Sequence, residues 1–273
     1  MGWHTMKAKF GLLGEVLGYS LSPKIHEWLF GALQLDARYD LIEISREAFA
    51  HEETMEKLRS LNGFNVTIPY KEMMIPLLDE IDSFAAEIGA VNTVLNQGGK
   101  LVGYNTDYYG FLESLKGVQD KLGQKKTAVI LGTGGAAKMA LRGLEAFGFE
   151  KIVFISRNPI EASKKFVNYE CYDYSVAPII ADIMVNCTPT GQNPANMDMT
   201  FDASWFSKIN FFFDLNYNPS ETLLMKLAQS QGVQTMNGMR MLAVQAIKAE
   251  EIWWNRNMDV DALVKEVIKL IRS

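Results

Sequence analysis

Four short segments concentrate side chains able to grip a small polar molecule. They are Gly18-Tyr19-Ser20-Leu21-Ser22-Pro23, Asn65-Val66-Thr67-Ile68-Pro69-Tyr70-Lys71, Gly89-Ala90-Val91-Asn92-Thr93 and Asn105-Thr106-Asp107. Each gathers hydroxyls, amides or a single charge at the end of an apolar run or the start of a helical one. A ligand with several hydroxyls calls for this mixture, because each hydroxyl is both a donor and an acceptor. Taken singly, the same residues have plainer readings. Ser22 fits a helix cap, Asn105 a turn, Lys71 a solvated lysine and Asp107 an N-cap before Tyr108–Leu115. Lys71 follows a strand, a proline and a tyrosine, so it is expected to project from a strand end.

A different chemistry is written in Gly132-Thr133-Gly134-Gly135-Ala136-Ala137, which directly follows the apolar run Thr127–Leu131 and opens a helical pattern through Phe147. Glycines at this spacing allow a tight turn and let backbone N–H groups approach a pyrophosphate at a helix start. The next apolar run ends in Phe154-Ile155-Ser156-Arg157-Asn158. A site for NAD usually places an acidic residue there, whereas an arginine suits a ribose 2′-phosphate by charge and by its planar fork of donors. The expected cofactor is therefore NADP.

The elements that must position these groups follow from hydrophobic periodicity. Strands are predicted at Phe10–Gly14, Tyr39–Ile44 and Gly63–Ile68, with a hairpin pair, Val91–Leu95 and Leu101–Tyr104, around Gly98-Gly99. Helices are predicted after Ser22-Pro23, over Phe49–Leu61, and through Ile88. After a polar stretch at Lys116–Lys126, continuous apolar runs recur at Thr127–Leu131, Lys151–Ile155, Ile183–Asn186 and Phe211–Asp214, as in parallel sheets covered on both faces. Gly238–Ser273 reads as helical. The fold class is α/β with two domains, the second doubly wound and Rossmann-like, and the boundary is placed near Asp107–Gly110.

Composition narrows the function classes. The 273 residues suffice for about two domains. Lysine plus arginine number 27 and aspartate plus glutamate 32, a net charge of −5, which argues against non-specific nucleic-acid binding. Three histidines (His4, His26, His51) and two cysteines (Cys171, Cys187) share no metal-ligand spacing, so neither a metal site nor a disulfide framework is expected. No signal-like or membrane-length apolar run appears, and a cytoplasmic protein without membrane partners is expected.

In order and spacing, these motifs resemble those of the shikimate dehydrogenase family. The resemblance extends to Asn186-Cys187-Thr188-Pro189-Thr190-Gly191, Asp214-Leu215-Asn216-Tyr217-Asn218-Pro219 and Gly238-Met239-Arg240-Met241-Leu242-Ala243-Val244-Gln245. It implies a discontinuous substrate domain, residues 1–108 and 239–273, facing an NADP domain, residues 109–238, across a cleft. It implies interconversion of 3-dehydroshikimate and shikimate, with Lys71 and Asp107 as the catalytic pair. Ser20 and Ser22 would hold the substrate carboxylate. Thr67, Asn92 and Gln245, with Asp107, would contact the ring hydroxyls, while Asn65, Asn105 and Tyr217 line the pocket. Gly132, Thr133, Gly134, Gly135, Ala136, Ser156, Arg157, Asn158, Thr188, Leu215 and Gly238 match the cofactor-binding positions. A monomer or a homodimer would suit such a family.

The chain departs from the family pattern at several places. Ser156-Arg157-Asn158 stands for the usual Asn-Arg-Thr, Glu161 for a basic residue, Arg240 for a glycine and Tyr19 for a histidine, the last read as packing. Competing readings are an NAD-dependent quinate/shikimate dehydrogenase, a related enzyme of an amino-substituted shikimate, and a non-catalytic sensor of shikimate-pathway ligands. Both Lys71 and Asp107 are retained, which argues against the sensor.

Overall fold

The computed structural model describes residues 7–18, 20–175, 179–192 and 203–272. Tyr19, with its expected packing role, lies outside the described residues. The chain divides into two compact units, one of Met1–Tyr109 with Ala243–Ser273 and one of Gly110–Leu242.

The first unit holds a mixed sheet. Its strands are β1 (Ala8–Gly14), β2 (Ala37–Glu43), β3 (Gly63–Val66), β4 (Glu80–Ile81), β5 (Thr93–Gln97) and β6 (Lys100–Tyr104), in the order β2-β1-β3-β5-β6-β4. β1 pairs parallel with β2 and β3, whereas β5 runs antiparallel to β3 and β6. The apolar run of β1 is buried along nearly its whole length, which suits its inner position in the sheet. β2, at the edge, buries Ala37 and Tyr39 on one face and Ile42 on the other, and leaves its remaining residues exposed. Two apolar clusters form around the sheet, one on Leu13, Phe64, Tyr70 and Val94, the other on Phe10, Phe30, Tyr39 and Trp253.

Four helices precede the second unit, α1 (Ser22–Ala32), α2 (Glu52–Arg59), α3 (Tyr70–Met73) and α4 (Ser83–Ile88), and α5 (Thr106–Lys116) spans the boundary. Three expectations are corrected here. Ser22 is the first residue of α1 rather than its cap, and Leu21 takes the cap position without a side-chain bond. Lys71 sits on the single turn α3, because the chain coils immediately after Pro69 instead of extending. The helix expected over Phe49–Leu61 shortens to α2, since Phe49 and Leu61 are drawn into the core from the flanking turns.

The second unit is a six-stranded parallel sheet. β7 (Thr127–Leu131), β8 (Lys151–Ile155), β9 (Glu170–Tyr172), β10 (Ala181–Asn186), β11 (Ile209–Asp214) and β12 (Gln234–Met236) lie in the order β12-β11-β10-β7-β8-β9. β7 is central, and the chain winds outward to one side through β8 and β9, then to the other from β10. The switch between β7 and β10 is where doubly wound sheets bind ligands. The helices α6 (Gly135–Phe147), α7 (Pro159–Lys165) and α8 (Leu223–Ser230) alternate with the strands, and α9 (Met239–Trp254) and α10 (Val260–Arg272) close the chain.

Candidate active site

In the first unit, Lys71 Nζ lies 2.6 Å from Asp107 Oδ2, with side chains 25% and 17% exposed. Asp107 belongs to the first turn of α5, where a helix favours an anion. The cap of that helix is Asn105, whose Oδ1 accepts from the Tyr108 N–H at 3.2 Å while its Nδ2 donates to the Ala90 carbonyl at 2.8 Å. The capping reading of Asp107 is thus replaced: Asn105 holds the helix, and the Asp107 carboxylate is left to face Lys71. Tyr70, buried beside Lys71, stacks on Phe49 at 4.3 Å and donates to the Ile44 carbonyl, which pins the turn carrying the lysine.

Around this pair the amides form a buried lattice. Asn92 Oδ1 accepts from the Thr106 N–H at 2.6 Å, and its Nδ2 donates to Thr106 Oγ1 at 2.9 Å. Thr106 Oγ1 also lies 3.0 Å from Thr93 Oγ1 and 3.5 Å from Gln245 Oε1 on α9. Asn65 Nδ2 donates to Thr93 Oγ1 at 3.0 Å and to the Asn92 carbonyl at 3.3 Å. Thr67, half-buried, follows β3 with its N–H on the Leu13 carbonyl at 2.9 Å. Ser20 and Ser22 adjoin the start of α1, where Ser20 Oγ accepts from the Ser22 N–H at 3.2 Å. The unit therefore brings Lys71 and Asp107 together, and links Asn65, Asn92 and Gln245 through residues to which sequence reading gave no role. Those residues are Thr93 and Thr106. Both lie inside the motif strings, but their hydroxyls face one another only after β5 and the start of α5 have folded together.

The second unit carries the glycine loop. Gly132 follows β7 at φ 102°, a conformation that favours glycine, and a Cβ there would stand 2.8 Å from Thr188 Cγ2. Gly134 and Gly135 have nothing within 4 Å of an added Cβ, and Gly134 is exposed at the N-terminus of α6. The first N–H groups of a helix have no intrahelical acceptor, so this open loop fits a dinucleotide phosphate. Thr133 and Ala136 flank it, partly buried and exposed respectively.

After β8, Ser156 is buried while Arg157 is exposed. Asn158 is the cap of α7, its Oδ1 accepting from the Glu161 N–H at 3.2 Å. Glu161 holds Lys164 at 2.6 Å. Arg240, the departure from glycine, is half-buried with its Nε directed to the Glu113 carbonyl at 3.4 Å, on the last turn of α5.

A buried carboxylate joins the remaining positions at which a cofactor contact is expected, around Thr188 and Leu215. Asp214 accepts from Asn186 Nδ2 at 3.0 Å, the Asn216 N–H at 3.0 Å, Asn216 Nδ2 at 2.8 Å and Thr222 Oγ1 at 2.6 Å. Asn186 Oδ1 in turn accepts from Thr188 Oγ1 at 2.7 Å, and Asn216 Nδ2 reaches the Thr188 carbonyl at 2.9 Å. This lattice fixes the turn bearing Thr188 against the one bearing Leu215 and Tyr217. A Cβ on Gly238 would overlap the Leu215 carbonyl, so glycine is needed for this approach. Burial outweighs the four donors and pushes the Asp214 carboxyl up to about 6. Burial, helped by the Asp214 charge, also pushes the Cys187 thiol up.

Among the described residues, no group of histidine, cysteine, aspartate and glutamate could hold a metal ion, and no helix is long and apolar enough to cross a membrane.

One unit with a glycine-looped Rossmann-type sheet and another with a mixed sheet and a lysine–aspartate pair define a two-unit α/β chain of dinucleotide-binding type. Residues 12–94 match the family model described as the shikimate dehydrogenase substrate binding domain. The chain is 38% identical to the shikimate dehydrogenase (NADP(+)) of Clostridium beijerinckii, over 92% of this chain and 93% of that one. It superposes with a TM-score of 0.91 on a chorismate mutase/shikimate 5-dehydrogenase fusion protein from Clostridium acetobutylicum, at 34% identity and 97% coverage of both chains. Shikimate dehydrogenase 1 from Peptoclostridium difficile gives 0.85 at 37% identity, covering 96% of this chain and 98% of that one. The chain belongs to the shikimate dehydrogenase family.

Proposed function

We propose that this chain catalyses the reversible, NADPH-dependent reduction of 3-dehydroshikimate to shikimate, as a soluble cytoplasmic enzyme. The observation that carries the reading is the Lys71–Asp107 pair at 2.6 Å, set in the same unit as the amide and hydroxyl lattice. The first unit is the substrate domain and the second the NADP domain. NADPH, when bound, supplies the hydride for the carbonyl carbon. Lys71 donates a proton to the oxygen of that carbonyl as negative charge develops there, and takes it back in the oxidative direction. Such proton transfer contributes about 10²–10⁴-fold in rate. Asp107 orients the ammonium and accepts from a ring hydroxyl. Ser20 and Ser22, at the start of α1, hold the carboxylate where helix N–H groups favour an anion. Thr67, Asn65, Asn92 and Gln245 recognise ring hydroxyls, and Asn105 fixes the helix bearing Asp107.

Gly132 through Ala136 hold the pyrophosphate. Arg157, with Ser156 and Asn158, would hold the adenosine 2′-phosphate, and Thr188, Leu215 and Gly238 would complete the NADP site. A second reading, an NAD-dependent quinate/shikimate dehydrogenase, is favoured by the Glu161–Lys164 pair, which places a carboxylate where the family often has a cation. Initial rates with shikimate and quinate, each with NADP⁺ and NAD⁺, decide between the two. Turnover of shikimate with NADP⁺ at the highest kcat/KM is expected. Equal or better turnover of quinate with NAD⁺ overturns the assignment.

A further inference from the structure

Behind the amide lattice of the first unit stands Tyr39, on β2 and 3% exposed. Its phenol oxygen lies 2.7 Å from Asn65 Oδ1, and the Ser22 side chain reaches the same oxygen. One face of the ring stacks on His26 at 4.3 Å with the planes 4° apart. His26 is itself held, Nδ1 to Glu250 Oε1 at 2.5 Å, and Glu250 Oε2 accepts from Trp254 Nε1 at 2.8 Å. The ring is therefore clamped in the core, with its hydroxyl aimed at two pocket residues from behind.

Proton counting fixes the direction of these bonds. Asn65 Nδ2 has its two hydrogens on Thr93 Oγ1 and the Asn92 carbonyl. Oδ1 is therefore the atom facing Tyr39, and the phenol must donate its one hydrogen to it. Burial and the Glu250 carboxylate push the phenol well above its usual range, so it keeps that hydrogen at neutral pH. With both amide hydrogens and one lone pair committed, Asn65 has only an acceptor lone pair left for a ligand.

We propose that Tyr39 is a positioning residue that locks the Asn65 amide, so that Asn65 serves the substrate as an acceptor for a ring hydroxyl and never as a donor. This inference rests on the proposed function. Without the phenol, the Asn65 oxygen loses its fixed donor and the amide is held only by the bonds on its nitrogen.

The test is Tyr39→Phe, which keeps the ring on His26 and removes only the hydroxyl. KM for shikimate is expected to rise about 10-fold. At saturating shikimate kcat should stay within about 3-fold of wild type, and KM for NADP⁺ should be unchanged. In an Asn65→Ala background, Tyr39→Phe should add less than about 2-fold, because the two act on one contact. An unchanged KM, or a full loss persisting in the Asn65→Ala background, overturns the proposal by making Tyr39 a packing residue only. If Tyr39→Phe does not fold, Tyr39→Leu carries the test in its place: a raised KM for shikimate that largely disappears in the Asn65→Ala background supports the proposal, and an unchanged KM overturns it. A wild-type chain that neither binds nor oxidises shikimate defeats the functional reading and this inference together. A wild-type chain that turns over beside an unaffected Tyr39→Phe defeats the inference alone.

Discussion

Asp214 gives the second unit a pH-dependent weakness. Its carboxyl is fully buried at the end of β11 and pushed up to about 6 from an ordinary 3.8. Because the native value is raised, the native chain binds more protons than the unfolded one between the two values. The stabilisation is fully present below about pH 4 and is lost as pH rises through about 6. Two pKa units correspond to roughly 3 kcal/mol, at about 1.4 kcal/mol per unit. Asp214→Asn removes the titration and keeps the shape. Its carbonyl still accepts from Asn186 and Asn216, and its NH₂ can donate to Thr222, whose hydroxyl rotates. Equilibrium urea unfolding of both full-length chains from pH 4.5 to 7.5 measures the effect. The stability of wild type relative to Asp214→Asn should fall by roughly 2 kcal/mol across that range, the rest of the effect lying below pH 4.5. A difference that is flat, or that rises with pH, would refute the reasoning. It would mean that the four donors stabilise the carboxylate more than burial penalises it.

Further predictions concern the cofactor clamp and the core of the first unit. Arg157→Ala should remove a charge-assisted contact worth about 1.5–3 kcal/mol, or about 10- to 150-fold in NADPH affinity, and barely affect NADH; equal loss for both cofactors would make Arg157 structural. Gly63→Ala would place a Cβ over the Trp253 indole, 2.8 Å from the Val94 carbonyl that accepts the indole N–H, and a clash of this kind costs about 1–3 kcal/mol. Urea unfolding should show that loss, and an unchanged midpoint would contradict the packing described.

The parallel sheet of the second unit is legible in the sequence because β7, β8, β10 and β11 are continuous apolar runs and Gly132–Gly135 follows the first of them. β4, β9 and β12 are not legible. They have two or three residues each, lie at sheet edges and carry too little periodicity to register. Lys71 and Asp107 are visible as residues, but the turn carrying the lysine is not, since only the burial of Tyr70 against Phe49 makes the chain coil there. The supporting hydrogen bonds are hidden for a different reason. Tyr39 and Asn65 are 26 residues apart and Thr106 and Gln245 are 139 apart, distances over which no local pattern speaks. Asp214 and Asn186 stand inside motif strings, yet their roles emerge only when β10 and β11 pair and bring the two amides to the carboxylate.

The central claim is that Lys71 moves the proton at the substrate oxygen, and Lys71→Ala tests it most directly. Initial rates of NADPH formation at saturating shikimate and NADP⁺, with shikimate affinity measured separately by calorimetry, separate chemistry from binding. The account predicts a fall in kcat of at least about 10²-fold with shikimate affinity nearly unchanged. A Lys71→Ala chain that turns over at a near-normal kcat would contradict it.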